Sequence, residues 1–331
     1  MNAKQIASKL KEANKIIIFH HLLPDGDSLS SSYALLVAMK NKFPEKTIKW
    51  VADKEFINKR FPYLGIKFDD VISGEEVDKT WTSLIGDNAV LERIYGSEIY
   101  MKAGTKLCFD HHRNNINFAA DVYWQESDLG ASSIQAFYIA RELEVEYSSK
   151  DAILALYGIL TDTGNFQFSL ADPRPLEAAA ELMKFIKNDD LDKVYQAMQV
   201  KTPKDIAIQA YVLGNYVLEK GVAYVKWDKE IQDKLNIDAN DCARVNLIAN
   251  IEGSGAWIFF IEYPEDKKIR VEFRSLGLPV NKVAIKFGGG GHIRASGASI
   301  DVDWNKADEI VKTTQEALKV FKEKRNNETI T

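Results

Sequence analysis

Histidine and cysteine are scarce in this 331-residue chain, which has five of the first and two of the second. Cys108 and Cys242 lie far apart and match no CxxC pattern, so zinc-ribbon and disulfide-framework readings are excluded and two buried, reduced thiols are expected. Long apolar runs are missing too. The longest nearly apolar stretch, residues 152–160, is far short of the roughly 20 residues that span a bilayer. Residues 16–19 are too few for a signal-peptide core and no small-residue cleavage site follows, so a cytoplasmic protein with no membrane partner is expected. An excess of positive charge is also absent. Forty-three Lys and Arg stand against 48 Asp and Glu, a net charge of −5 that gives no global attraction for long duplex DNA. Short single-stranded RNA or single nucleotides suit such a chain better, because a few phosphates need only one local pocket. What is present, 46% hydrophobic and 27% charged residues, describes a globular protein with a sizeable core.

The length predicts two domains. Apolar residues recur at helical spacing over residues 3–14, and the β-branched run Ile16-Ile17-Ile18-Phe19 then reads as a buried strand ending at His20-His21. A helix over residues 28–42 follows, with a hydroxyl N-cap candidate. Further strands are predicted at residues 47–52, 83–85 and 106–109, and helices at 131–142, 151–160 and 174–187. Strands alternating with helices imply an α/β fold with a mainly parallel sheet. The polar stretch 188–207 is the expected inter-domain connection, between a domain at 1–187 and a smaller α+β domain at 208–331. In the latter, strands at 222–225, 257–263 and 269–273 suggest a mainly antiparallel sheet, and helices are expected at 280–286 and 307–322. Residues 323–331 read as a polar tail expected to fray.

All five histidines fall in short clusters: His20 and His21, His111 and His112, and His292. The first two pairs each follow a predicted strand beside aspartates, in His21-Leu-Leu-Pro-Asp25-Gly-Asp27 and Asp110-His111-His112. Loops at the carboxyl ends of parallel strands converge even when distant in sequence. Asp87, near another strand end, and Asp162, in Gly158-Ile-Leu-Thr-Asp162-Thr-Gly-Asn165, complete the set. Taken alone, Pro24-Asp25-Gly26-Asp27 is equally an Asx-rich turn, and lone aspartates are commonly caps. Together, imidazole plus carboxylate without thiolate is ligand chemistry for Mn²⁺, Mg²⁺ or Fe²⁺. Two such ions would cancel the repulsion among the crowded aspartates and would suit phosphoester hydrolysis. A second segment, Gly288-Gly289-Gly290-Gly291-His292-Ile-Arg294, offers backbone amides for an anion, and Arg274 or Arg294 could hold a phosphate.

These residues resemble the DHH/DHHA1 phosphoesterase superfamily, whose name comes from the triplet that is here Asp110-His111-His112. The resemblance spans nearly the whole chain. Its first motif is His21 through Asp27, its second falls best at Asp87, its third is the triplet and its fourth contains Asp162, while residues 288–297 resemble the DHHA1 substrate motif. Two departures stand out: Gly86 before Asp87, and Ser30 where glycine is usual. The resemblance implies two divalent metal ions, foremost Mn²⁺, with His21, Asp25 and Asp87 at one and Asp27, His111 and Asp162 at the other, bridged by Asp87 or, alternatively, with Asp162 contacting both. It also implies that His112 contacts the scissile phosphate and assists proton transfer, that Asp110 orients its neighbours, and that His20 is no ligand. Arg274, Ser275, Gly289, Gly290, Gly291, His292 and Arg294 would bind substrate in an inter-domain cleft, and homodimers occur among such relatives.

Within the superfamily the layout is most similar to the bacterial nano-RNase and 3′-phosphoadenosine-5′-phosphate phosphatase group. That likeness implies release of mononucleotides from short oligoribonucleotides, removal of the 3′-phosphate from the adenosine bisphosphate, or both. A cyclic di-AMP phosphodiesterase is the nearest alternative, and a nucleotide sensor without turnover is an alternative of another class. Loss of activity with little unfolding is expected on replacing Asp27 or Asp87 by alanine, since each would lie in a loop outside the core.

Overall fold

The computed structural model describes residues 2–113, 115–167 and 172–328. They form two compact units, Met1–Gln199 and Val200–Thr331. The first unit runs α1 (Asn2–Glu12), β1 (Lys15–Phe19), α2 (Gly26–Lys42), β2 (Thr47–Trp50), α3 (Lys54–Arg60), β3 (Thr82–Gly86), α4 (Ser97–Lys102), β4 (Thr105–Asp110), β5 (Val122–Gln125), α5 (Ser132–Glu142), α6 (Ser149–Asp162), α7 (Arg174–Met183) and α8 (Asn188–Gln199). Its five strands are all parallel, in the order β2-β1-β3-β4-β5. The unbroken apolar run of β1 follows from burial on both faces. Ile16 and Ile18 join the core shared with α1, α2, α5 and α6, whereas Ile17 and Phe19 join one built with Ile99 and Tyr100 of α4, Val77 and Trp81. The chain leaves β1 toward β2 on one side and returns to β3 on the other, so the strand order reverses between β1 and β3. Such a reversal opens a crevice at the strands' carboxyl ends.

Helix α2 starts two residues earlier than the expected residue 28, because its cap is not a hydroxyl. The Asp25 carboxylate accepts from the Asp27 and Ser28 amides at 3.1 and 3.0 Å. The small residues that follow let α2 pass close to α5 and α6. A Cβ added at Gly158 of α6 would lie 2.1 Å from Ser133 Oγ and 2.7 Å from Ser30 Cβ. Ser30 is therefore accommodated by a glycine on the opposing helix.

The second unit contains α9 (Pro203–Asn215), β6 (Val217–Glu219), β7 (Val222–Trp227), α10 (Lys229–Leu235), β8 (Ala256–Tyr263), β9 (Lys268–Ser275), α11 (Val280–Lys286), β10 (Gly290–Gly291), β11 (Ala295–Asp301) and α12 (Trp304–Glu328). Its sheet, ordered β10-β11-β9-β8-β7-β6, is mixed: β7 and β8 pair parallel and the other neighbours antiparallel. Residues of α11 and α12 pack on the Ile258, Phe260, Val271 and Phe273 face, and residues of α9 and α10 on the face of Val225, Trp257 and Phe259. The expected connection 188–207 is mostly helical, as α8 and the start of α9, and the units divide between residues 199 and 200. Where a frayed tail is expected, α12 continues to Glu328, and residues 329–331 lie outside the described residues. Among the described residues no helix is long and apolar enough to cross a membrane.

Two glycines should respond oppositely to alanine. Gly158→Ala overpacks the α2–α5–α6 crossing and should lower unfolding free energy by about 1–3 kcal/mol. Gly214→Ala on α9, where an added Cβ meets nothing within 4 Å, should raise it by roughly 0.5–1 kcal/mol through helix propensity. Urea midpoints of the two variants check this.

Candidate metal centre

The carboxyl ends of β1, β3 and β4, with the end of α6, bring together residues from positions 21 to 162. After β1 the chain turns through His21, whose main-chain N–H donates to Ser28 Oγ at 3.2 Å. The His21 ring is buried, and its Nδ1 lies 2.8 Å from the Leu22 carbonyl, which leaves Nε2 facing Asp87 Oδ2 at 3.4 Å and Asp25 Oδ2 at 3.8 Å. Asp87 directly follows β3 with φ +63°, a left-handed backbone held by its N–H donating to the Phe109 carbonyl at 2.9 Å. Gly86 before it is required by packing, since a Cβ there would lie 2.4 Å from the Phe109 ring.

The two oxygens of Asp87 serve different neighbours. Oδ2 faces His21, and Oδ1 lies 3.4 Å from His111 Nε2 and 3.5 Å from His112 Nδ1. His111 Nε2 in turn lies 3.1 Å from Asp162 Oδ2 and 3.9 Å from Asp27 Oδ2. Two groups of potential ligand atoms result, His21–Asp25–Asp87 and Asp27–His111–Asp162, each with its atoms within 4.8 Å of one another. Asp87, His111 and His112 form a third overlapping group. The metal sets implied by the sequence resemblance are thus juxtaposed, with Asp87 between them.

Asp27 is fully buried rather than loosely held in a loop. Its Oδ2 accepts from the Ser132 amide at 2.6 Å and its Oδ1 from the Ser133 amide at 2.8 Å, at the start of α5. Ser132 Oγ also donates to Asp87 Oδ1 at 3.2 Å. These serines are missing from the sequence-based set. A signal for them exists: Ala131 occupies the α5 N-cap and supplies no side-chain cap, so the first amides of that helix need an acceptor from elsewhere. The expectation that Asp27→Ala costs little stability is therefore corrected, because alanine would strand two buried amides. Asp162, whose side chain is 28% exposed, is the cleaner candidate ligand to delete.

Asp110 is wholly buried and takes both the amide and Nδ1 of His112 on Oδ1, at 3.1 and 2.8 Å. That fixes the His112 ring with Nε2 directed away from the carboxylate, and 43% of the side chain stays exposed. His20 lies outside the constellation. Its Nε2 accepts from the Asp53 amide at 3.1 Å, its Nδ1 lies 2.7 Å from the His21 carbonyl, and its ring stacks on Tyr95.

Charge explains why these groups fit divalent cations. Burial alone would lower the His111 pKa, but Asp162 and Asp87 overcome it and raise the imidazole to about 11. Burial likewise opposes, and Asp25 and Asp87 reverse, the shift that brings His21 to about 10. Burial, then Asp87 and Asp162, push Asp27 well above the ordinary carboxylate range, and burial also raises Asp162. Asp87 goes the other way: burial would raise it, but His111 and His21 hold it ionised. His111 Nε2 is buried without a well-aligned hydrogen bond despite its carboxylate neighbours. An imidazole nitrogen so placed among hard oxygen donors matches the ligand chemistry of borderline-to-hard divalent ions.

In the second unit the glycine-rich segment is partly engaged in the fold. The Gly288 and Gly289 amides donate to the Ile285 and Ala284 carbonyls at the end of α11, and Gly290 and Gly291 pair with Gly297 and Ser296. A Cβ at Gly289 would meet the Gly297 carbonyl oxygen at 2.1 Å, so this glycine permits close backbone contact with β11. Ser275 is buried and donates from Oγ to the Leu278 carbonyl at 2.5 Å. Arg270 and Arg274 lie on one face of β9 with Glu272 between them. Arg270 covers the Tyr263 ring at 3.8 Å and pairs with Asp266, while Arg274 Nη1 donates to the Phe273 carbonyl at 2.9 Å. His292 and Arg294 are exposed in the turn between β10 and β11.

Comparison with known proteins agrees with this architecture. Residues 15–159 match the DHH family, N-terminal domain, and residues 219–320 match the DHHA1 domain. The chain is 33% identical to the bifunctional oligoribonuclease and PAP phosphatase NrnA of Mycoplasma pneumoniae, over 89% of this chain and 90% of that protein. It is 31% identical to the protein of the same name from Bacillus subtilis, over 89% of this chain and 92% of that one. Its fold is similar to the crystal structure of an exopolyphosphatase-related protein from Bacteroides fragilis, with a TM-score of 0.78, 24% identity and 97% of each chain covered.

Cation binding should release protons from this centre. Because His21 and His111 titrate above the ordinary imidazole value of about 6.5, the stabilisation from their protonated forms is complete below that pH and is lost as pH rises through about 10 and 11. A divalent ion needs both rings neutral, so Mn²⁺ affinity should rise with pH from 6.5 toward 9. Titration calorimetry at pH 7.5, in two buffers of different ionisation enthalpy, should show net proton release. Buffer-independent heats with pH-independent affinity would refute it.

Proposed function

The chain belongs to the DHH–DHHA1 family of phosphoester hydrolases, and on that premise we propose that it degrades short oligoribonucleotides to mononucleotides and removes the 3′-phosphate of 3′-phosphoadenosine-5′-phosphate. The observation carrying this reading is the pair of candidate ligand groups, His21–Asp25–Asp87 and Asp27–His111–Asp162, with Asp87 of the first also 3.4 Å from His111 of the second at the carboxyl ends of the parallel strands. Two divalent cations, Mn²⁺ in the first instance, would supply charge neutralisation and an activated water for attack on phosphorus. The names and coverage of the Mycoplasma and Bacillus relatives support the substrate class.

The protein's own residues account for the remaining work. His112 is held by Asp110 through Nδ1, so its outward Nε2 can bond a phosphoryl oxygen or pass a proton to the leaving oxygen. Asp110 fixes the ring orientation and favours the imidazolium, whose pKa is raised chiefly by that hydrogen bond. Asp27, gripped by the α5 amides, presents its oxygens from a fixed position, which lowers the reorganisation required on binding. Arg274, His292 and Arg294 bind the substrate's distal phosphate or base. Gly289 lets the segment approach β11 closely, Gly290 and Gly291 pair with that strand, and Ser275 secures the turn that follows β9.

Three measurements test the reading. With saturating Mn²⁺, kcat/KM should be highest on two- to five-nucleotide RNAs and the adenosine bisphosphate, and a clear preference for cyclic di-AMP would replace this assignment. Asp162→Ala should lower kcat by at least about 100-fold while the melting temperature without metal stays near that of the parent. Arg274→Ala should raise KM for short RNA more than it lowers kcat, as expected for uniform binding, and an unchanged KM would remove it from the site.

A further inference from the structure

A carboxylate from the first turn of α2 and one from the turn after β3 meet at one residue belonging to neither segment. Ser132, the first residue of α5, donates its main-chain N–H to Asp27 Oδ2 at 2.6 Å and its hydroxyl to Asp87 Oδ1 at 3.2 Å. It is wholly buried, and the adjacent Ser133 amide takes the other Asp27 oxygen at 2.8 Å. Each carboxylate is the member of its ligand group that lies deepest, Asp27 at 0% and Asp87 at 2% exposure. The same serine therefore sets the spacing between the two groups from behind.

We propose that Ser132 is the positioning residue that preorganises the pair of metal subsites, by holding Asp87 with Oδ1 toward His111 and Oδ2 toward His21. This rests on the metal-dependent reading above and deepens it. A carboxylate attached through its Cβ can rotate about the Cβ–Cγ bond, a broad, roughly two-fold torsion. With Oδ1 held by the hydroxyl, rotation is restricted and one oxygen faces each subsite, as bridging requires. Without the hydroxyl, the main-chain amides of Ser132 and Ser133 still hold Asp27, so the defect falls on Asp87 alone. A ligating carboxylate that loses its outer hydrogen-bonding partner typically loses 10–100-fold in metal affinity.

The test measures Mn²⁺ binding by calorimetry on the full-length protein and on Ser132→Ala, Ser132→Cys and Asp162→Ala. Cysteine keeps the approximate size of serine and replaces the hydroxyl by a weak donor, so it remains informative if alanine impairs folding. The expected result is a 10–100-fold weaker Mn²⁺ affinity for both Ser132 variants, with metal-free melting temperatures near the parent's. Their turnover should be low at limiting Mn²⁺ and largely restored at saturating Mn²⁺, which a merely structural defect would not produce. Parent-like Mn²⁺ binding by the Ser132 variants, with Asp162→Ala weakened, would overturn the positioning role and leave the metal reading standing. Unchanged Mn²⁺ binding in all three variants would overturn the metal reading itself.

Discussion

Mutual repulsion among buried carboxylates governs the first unit. Asp27 and Asp87 are almost without solvent, and Asp162 joins them across His111. Acidic groups so placed cannot all ionise at neutral pH unless positive charge is interleaved, and the molecule provides it in layers. The innermost layer is imidazole, His21 and His111, each directed between two carboxylates. Behind that lie backbone dipoles: the α5 amides on Asp27 and the α2 amides on Asp25. The arrangement is matched to divalent cations, which bring more charge into the same space than two protons can.

The rest of the first unit follows from holding these groups in register. The parallel sheet supplies three strand ends side by side, and the reversal of strand order between β1 and β3 sets His21 and Asp87 on the two sides of one crevice. The fourth contributor, Asp162, arrives on a helix end. Its position depends on α6 approaching α2 and α5 closely enough for Gly158 to fit against Ser30 and Ser133. Small residues in that crossing are the geometric condition for the charged centre.

Much of this was legible in the chain. Ile16–Phe19 and the strand ending at Asp110 were visible because two-sided burial writes itself as an unbroken apolar run, and the histidine–aspartate clusters sit directly behind such runs. Less legible were elements whose residues carry little signal of their own. Strand β11, Ala-Ser-Gly-Ala-Ser-Ile-Asp, is extended because β9 pairs along its whole length, not because its residues favour strands. Strand β5 has only four residues, and α8 and α9 are polar enough on their outer faces to read as a connection. Within the centre, Ser132 and Ser133 were less legible, because both hold Asp27 through main-chain amides and the one sequence cue is the indirect one of an α5 N-cap, Ala131, that supplies no side-chain acceptor. The glycine-rich run was visible by composition, but its division between capping α11 and pairing with β11 depends on backbone conformation.

The order in which the centre's members occur along the polypeptide has a consequence for biosynthesis. A nascent chain presents His21, Asp25 and Asp27 first, adds Asp87 60 residues after Asp27 and His111 24 residues after that, and gains Asp162 only when α6 emerges and docks. Until then the acidic crevice is incomplete and open on the α6 side. A divalent cation captured early would meet only a partial donor set, so the complete set belongs to the finished domain rather than to the ribosome-bound intermediate.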